Sequence, residues 1–277
     1  MAGRGDIQIQ NPCTKWFKWK GSTGTVVYYD KLTKEDVEVK LPFTFLLLDV
    51  LATIKGFDKS TKESIWSNEV RNTKETPLLV KKGSVLFKNG MYSDIKADVV
   101  SAGGGYASSC YIAFKDEAGK LTIGNIIMAG SSLGGGVHKP ADKKLKDIEV
   151  GAWIEFTKAF KNELYNKAIQ IVDKDDRICT EGNVQFYCPK FALIETTPET
   201  DKAAIELNKE LQAYLETYLK IEAKPTETVA PVAEAAPQVS KEEQFEKNAE
   251  EKPFDIPKKE TAITEVVIPA EPDDLPF

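Results

Sequence analysis

The segment with the most chemistry in it is Lys15-Trp16-Phe17-Lys18-Trp19-Lys20. Cations alternate there with large aromatic rings. An unpaired nucleic-acid strand needs that combination, a π-surface for a base and an ammonium for its phosphate. On a β-strand, alternation places Trp16, Lys18 and Lys20 on one face and Lys15, Phe17 and Trp19 on the other. Either face therefore offers an aromatic beside a cation, and Trp16 is favoured because two lysines share its face. Other aromatics read the same way. Trp66, within Glu63-Ser64-Ile65-Trp66-Ser67-Asn68, shares its strand face with the polar Ser64 and Asn68. In Ser109–Lys115, an apolar face of Cys110, Ile112 and Phe114 leaves Tyr111 with Ser109 and Lys115. Tyr28 and Tyr29 fall on opposite faces, so one of them is available. Lys81, Lys82 and Lys88 stand beside Gly83 and Gly90 at turns, placed to follow a phosphate backbone.

Other chemistry finds less support. Gly103-Gly104-Gly105 and Gly134-Gly135-Gly136 read as flexible hairpin tips, and neither is followed by the Lys-Ser/Thr of a phosphate-binding P-loop. The single histidine, His138, removes most histidine-based general-base schemes. No nucleophile elbow or paired metal-carboxylate motif stands out. Cys13, Cys110, Cys179 and Cys188 are widely scattered, which favours reduced buried thiols over a zinc site. The expectation is a non-enzyme with no catalytic residues, no metal and no cofactor. No run of about eighteen apolar residues marks a membrane span, so a soluble, cytoplasmic chain without a membrane partner is expected.

Charge sharpens the choice of ligand. The chain carries 37 Lys/Arg against 43 Asp/Glu, a net of −6 that would disfavour nucleic acid if it were spread evenly. It is not. Residues 1–140 have 19 basic and 14 acidic side chains, a net of +5. Residues 141–222 are at −4 and residues 223–277 at −7. A basic amino-terminal half is thus joined to an acidic end, and this asymmetry is the electrostatic feature that counts.

The elements expected to position these side chains are mostly strands. Thr25–Asp30 and Glu35–Leu41 flank the polar Lys31-Leu32-Thr33-Lys34, which suggests a hairpin. Phe43–Ile54 is an apolar run ending at Gly56, compatible with a buried strand or a short helix. Ser108–Lys115 and Leu121–Ala129 form a second hairpin about Asp116-Glu117-Ala118-Gly119. Trp153–Phe160, Ala168–Val172 and Val184–Ile194 are further strand candidates. One helix is clear. Thr197 can cap it, Pro198 suits its first position, and Ala204, Leu207, Leu211, Tyr214, Leu215 and Tyr218 keep helical spacing. The whole suggests a mainly β fold, an OB-fold-like small barrel with insertions closed by one C-terminal helix at about 198–221. The binding body is expected to span 1–222. Beyond it lie eight of the fourteen prolines and no Gly, Trp, Tyr or Cys, so 223–277 is expected to be a disordered acidic tail.

That tail ends Asp273-Asp274-Leu275-Pro276-Phe277, two carboxylates, an aliphatic residue, a proline and a phenylalanine. This tip resembles that of the single-stranded-DNA-binding proteins of bacteria and many phages. The resemblance covers the tip and the plan of a folded body with an acidic tail. It is less acidic than many tips of that family, and the body carries no family motif. It implies sequence-independent binding and protection of single-stranded DNA, in replication, recombination and repair. It also implies capture of polymerase, helicase or primase through the tip, in a host cytoplasm if the protein is phage-encoded. A homo-oligomer is compatible with this reading. Alternatives are an RNA-binding or RNA-chaperone barrel, a virion-associated structural protein, and a carboxylate-metal enzyme.

Overall fold

The structure is a computed structural model that describes residues 10–134, 139–140, 153–175, 179–181 and 184–222. The chain divides into two units, Met1–Pro225 and Thr226–Phe277, and the second lies outside the described residues. Everything below concerns the first.

The apolar run at 43–54 is a strand, and a long one. β4 (Phe43–Asp58) has sixteen residues and organises the fold. One edge pairs along Phe45–Gly56 with β8 (Gly104–Lys115). The other edge is shared: Phe43–Leu46 pair with β11 (Ala168–Lys174), and Lys55–Asp58 pair with β5 (Glu63–Ser67). A β-bulge between Leu47 and Asp49 separates these two regions and re-aims the strand. Beyond β8 come β9 (Leu121–Met128), then β1 (Lys15–Lys20), β2 (Thr25–Asp30) and β3 (Glu35–Val39). Beyond β5 come β6 (Leu78–Lys82) and β7 (Val85–Gly90), and β14 (Pro189–Ile194) flanks β11. The resulting eleven-stranded sheet is mixed, since β1 runs parallel to β9. It does not close on itself: β3 and β7 end its main path unpaired to each other. A small separate sheet joins β10 (Lys139–Pro140), β12 (Cys179–Glu181) and β13 (Val184–Phe186).

The sheet is nevertheless strongly curled. Phe17 on β1 and Phe43 on β4 are separated by two strands, yet their ring centroids lie 4.9 Å apart. Around them Trp19, Val26, Phe45, Ile112, Phe114, Ile126, Ile169 and Ile171 make the main core. The sequence 153–160 plugs this core as a helix, α2 (Trp153–Ala159), in place of the expected strand. Its apolar residues recur at three- and four-residue spacing, and Phe156 sits 6.2 Å from Trp153 and 5.2 Å from Phe160 by ring centroid. Helical period outweighs β-propensity there. Val184–Ile194 likewise is two short strands, interrupted at Tyr187-Cys188.

Two other helices cover the rest. α1 (Tyr92–Ser101), not evident in the sequence, buries Ile95 and Val99 against Ile54, Ile65, Leu78 and Val80. α3 (Pro198–Glu222) begins at Thr197, whose hydroxyl accepts from the Thr200 N–H at 3.3 Å. Its Leu211, Tyr214 and Leu215 seal a cluster of Leu46, Leu48, Leu51, Tyr111, Ala113 and Ile123. Asp49 and Gln212 tie the helix down: the Asp49 carboxylate accepts from Arg71 Nη1 at 2.8 Å and from Gln212 Nε2 at 2.9 Å. No described helix is long and apolar enough to cross a membrane.

Candidate nucleic-acid interface

Register decides which side chains share a surface. Across β1, β9, β8 and β4 the paired residues run Lys18, Ile127, Ser109, Leu51, and Trp16, Asn125, Tyr111, Asp49. Further along β4 the rung is Gly105, Lys55, Trp66, Lys81, Leu86, one residue from each of β8, β4, β5, β6 and β7. Partners in a rung point to the same side, and alternation links one rung to the next along a strand. Trp16, Lys18, Lys55, Trp66 and Lys81 therefore all stand on one face of the sheet. The same face bears Tyr111 and Leu51, so α3 packs on it as well. The opposite face carries the main core, α1 and α2.

On this face the helix leaves two regions uncovered. At the β1–β2 end Trp16 is 42% exposed, with Lys31 Nζ 5.1 Å from the centre of its ring. Lys18 and Lys20 follow it along β1, both exposed, and Lys18 pairs with Asp36 at 2.9 Å. Tyr29, 54% exposed, belongs to the same side of β2, because Val27 opposes Lys18 in the β1–β2 register. At the far end Trp66 lies between two lysines in its rung. Lys81 Nζ is 4.8 Å from the ring centre, and the indole N–H donates to Gly83 O at 3.0 Å, which fixes the ring's orientation. Lys55 is largely withdrawn from water, and this burial lowers its pKa, partly offset by the Glu69 carboxylate. Phe57, two residues along β4, is 52% exposed. Gly105 ends the rung with open space: a Cβ there would meet nothing within 4 Å.

The first region holds the exposed Trp16 and Tyr29 with Lys18, Lys20 and Lys31, and the second holds the half-buried Trp66 and the exposed Phe57 with Lys81 and the largely buried Lys55. Lys31 and Lys81 already sit against the rings, a cation–π contact of about 0.5–1 kcal/mol at exposed sites. Such pairs present a stacking surface and a phosphate partner together.

The sequence residues divide accordingly. Trp16, Lys18, Lys20 and Tyr29 come together, and Trp66 joins Lys81, which sequence proximity could not show. Trp19 does not belong to the surface. It is buried, its indole donating to Tyr187 O at 2.9 Å, because alternation turns it with Phe17 toward the main core. Tyr28 turns the same way, its ring edge-on to Phe17 at 5.8 Å, with Lys15 Nζ 4.0 Å from the ring centre. Tyr111 is on the interface side of β8 but lies under α3, only 3% exposed, its hydroxyl donating to Glu69 at 2.7 Å. Burial, and then the adjacent carboxylate, push its pKa far up. It is core, because a second packing layer covers a face that alternation alone left free. Lys115, at the end of β8, is exposed and apart from both regions. Lys82 is engaged by Asp58 and Lys88 by Asp98, the latter at 2.5 Å.

Gly103–Gly105 are not a mobile tip. Gly104 and Gly105 begin β8, and a Cβ on Gly104 would come within 2.8 Å of Val99. Of the second glycine run only Gly134 is described, and His138 and the tip 273–277 fall outside the described residues. Lys55 and Phe57 went unnoticed in the sequence; the signal available was resumed alternation after the apolar run, Lys55 and Phe57 against Gly56 and Asp58. Buried Cys13 and Cys110 have thiol pKa values raised by burial, Cys13 to about 12, which suits inert core thiols. Among the described residues no group of three or more His, Cys, Asp or Glu could hold a metal ion.

Known proteins offer no match. No family model fits the sequence, and no curated protein or solved structure matches it.

Proposed function

We propose that this chain is a single-stranded-DNA-binding protein that holds the strand across the uncovered parts of one sheet face. The observation that carries the reading is the shared orientation of Trp16, Tyr29, Lys18 and Lys20 with Trp66, Phe57, Lys55 and Lys81. An exposed indole, Trp16, and a half-buried one, Trp66, each with flanking ammonium groups and far apart in sequence, fall on one side of a single sheet. Rings stack on any base, so binding is largely independent of sequence, and lysines follow the backbone without reading it. The curled half of the sheet, around Phe17 and Phe43, serves as an OB-fold-like module, with β5–β7 and α1 as its extension. The site needs no catalytic group, metal or cofactor.

Asp273–Phe277 is the segment through which replication and recombination proteins are recruited, on the strength of its resemblance to the tips of bacterial and phage single-strand binders. Work in a host cytoplasm follows from the same resemblance. A Phe277→Ala chain should bind DNA normally and lose polymerase, helicase or primase in a pull-down; retention of all three would remove this part of the proposal.

Photocrosslinking tests the face itself. A bromodeoxyuridine-substituted oligonucleotide should crosslink to Trp16, Tyr29, Phe57 or Trp66. Crosslinks confined to Tyr92, Tyr106 and Phe87, on the α1 side, would place the strand on the wrong face. Competition by a matched RNA of equal affinity would favour the RNA-chaperone reading instead.

A further inference from the structure

The two ends of the sheet's main path are built differently. β3, at one end, carries Glu35, Asp36 and Glu38 in five residues, the kind of charged edge that discourages pairing with another chain. β7, at the other, reads Val85-Leu86-Phe87-Lys88-Asn89-Gly90 and has no proline or carboxylate. Val85 is 67% exposed and Leu86 54%, both large apolar residues on an outermost strand. The one charge, Lys88, is held by Asp98 of α1, the helix on the far face. Among the described residues β7 pairs only with β6, so its outer backbone edge is open.

We propose that two copies of this chain pair through β7, antiparallel and two-fold symmetric, with Leu86 on the axis. A second copy is favoured because the strand complements itself in that register. Leu86 meets Leu86 of the other copy and Val85 meets Phe87, so apolar residues face apolar ones, and the β-bulge that follows turns Lys88 toward Asp98 on the α1 side, so that no like charges oppose. Centring on Phe87 would instead set Lys88 against Leu86 and Val85 against Asn89. Centring on Leu86 also preserves sidedness. The pairs Leu86–Leu86 and Val85–Phe87 join residues that share a face, so the same face of both sheets points the same way up to the β-bulge that β7 makes between Leu86 and Lys88.

The consequence rests on the nucleic-acid reading; the pairing does not. The rung Gly105, Lys55, Trp66, Lys81, Leu86 would run through the axis into its symmetry mate, giving one surface with both Trp66 rings and four lysines. A single strand could then cross from one copy to the next without leaving the sheet.

Sedimentation of the full chain without DNA tests the pairing. A species of twice the 30.7 kDa chain mass is expected. It should revert to one chain mass on Leu86→Glu, a change at a side chain exposed enough to leave the fold intact. Leu86→Cys tests the register: cross-strand Cβ separations of about 4.5–5.5 Å are near what a disulfide spans. Diamide, taking up the two electrons and two protons, should join the introduced thiol to its symmetry mate as a disulfide, whereas Asn89→Cys and the parent chain should stay unlinked. A parent chain that is monomeric at all concentrations overturns the proposal. So does a dimer that survives Leu86→Glu, or one in which Leu86→Cys fails to crosslink. If the dimer forms but poly(dT) does not bind, only the nucleic-acid reading falls.

Discussion

Trp16 and Trp19 sit three residues apart on one strand and have opposite fates. Trp16 is 42% exposed beside Lys31, while Trp19 is 9% exposed with its N–H satisfied. Trp16→Ala should therefore weaken single-strand binding by about 1–3 kcal/mol with little loss of stability. Trp19→Ala should cost about 3–5 kcal/mol of stability, leaving affinity per folded molecule unchanged. Urea unfolding combined with fluorescence titration separates the two, and reversal of the pattern would mean the strand is turned over. Lys55 gives a different kind of test. Burial makes its charged form unfavourable in the folded protein, so its folded pKa lies below the ordinary 10.5. Between those two values the unfolded chain holds more protons, and stability rises with pH. Lys55→Met should melt higher than the parent at pH 7, the gap narrowing as pH approaches about 10, and yet bind DNA more weakly. A stability cost retained for binding is what a functional lysine shows. A variant that is less stable but binds equally well would make Lys55 structural.

Elements differ in how far the sequence reveals them. The hairpins at 25–39 and 108–128 and the helix from Pro198 were legible because alternation, turn residues and capping agree locally. The identity of 43–54 was not, since an unbroken apolar run has no period; its burial on both faces explains why. Trp153–Ala159 misled because aromatic β-formers there obey a helical spacing set by the core they plug. At the site, the Trp16 face followed from alternation alone. Tyr111 did not, because α3 comes from a hundred residues later to cover it. The Trp66–Lys81 pair needed a register that only the folded sheet supplies. Glycines make the same point about close approach. A Cβ on Gly56 would lie 2.3 Å from the Gly103 carbonyl oxygen and 2.4 Å from Gly104 Cα, backbone that cannot yield. Gly56→Ala should cost roughly 1–3 kcal/mol, whereas Gly105→Ala, which meets nothing, should leave the urea midpoint close to that of the parent. Equal effects from the two would contradict the β4–β8 packing.

At the scale of the whole molecule, an acidic chain is proposed to bind a polyanion, and the resolution lies in distribution. The +5 of residues 1–140 contains every lysine of the candidate interface, and the negative excess lies beyond it. The interface is electrostatically local, so its affinity should respond to salt as phosphate neutralisation requires and not as net charge would suggest. The central claim, stacking plus phosphate contact on one sheet face, is tested most directly by titrating the full chain with poly(dT) while following tryptophan fluorescence over a series of salt concentrations. The account expects quenching, a linear fall of log affinity with log salt at about −0.7 per phosphate contact, and much weaker binding to duplex DNA of the same length. A flat salt response, or equal affinity for single strand and duplex, would contradict it.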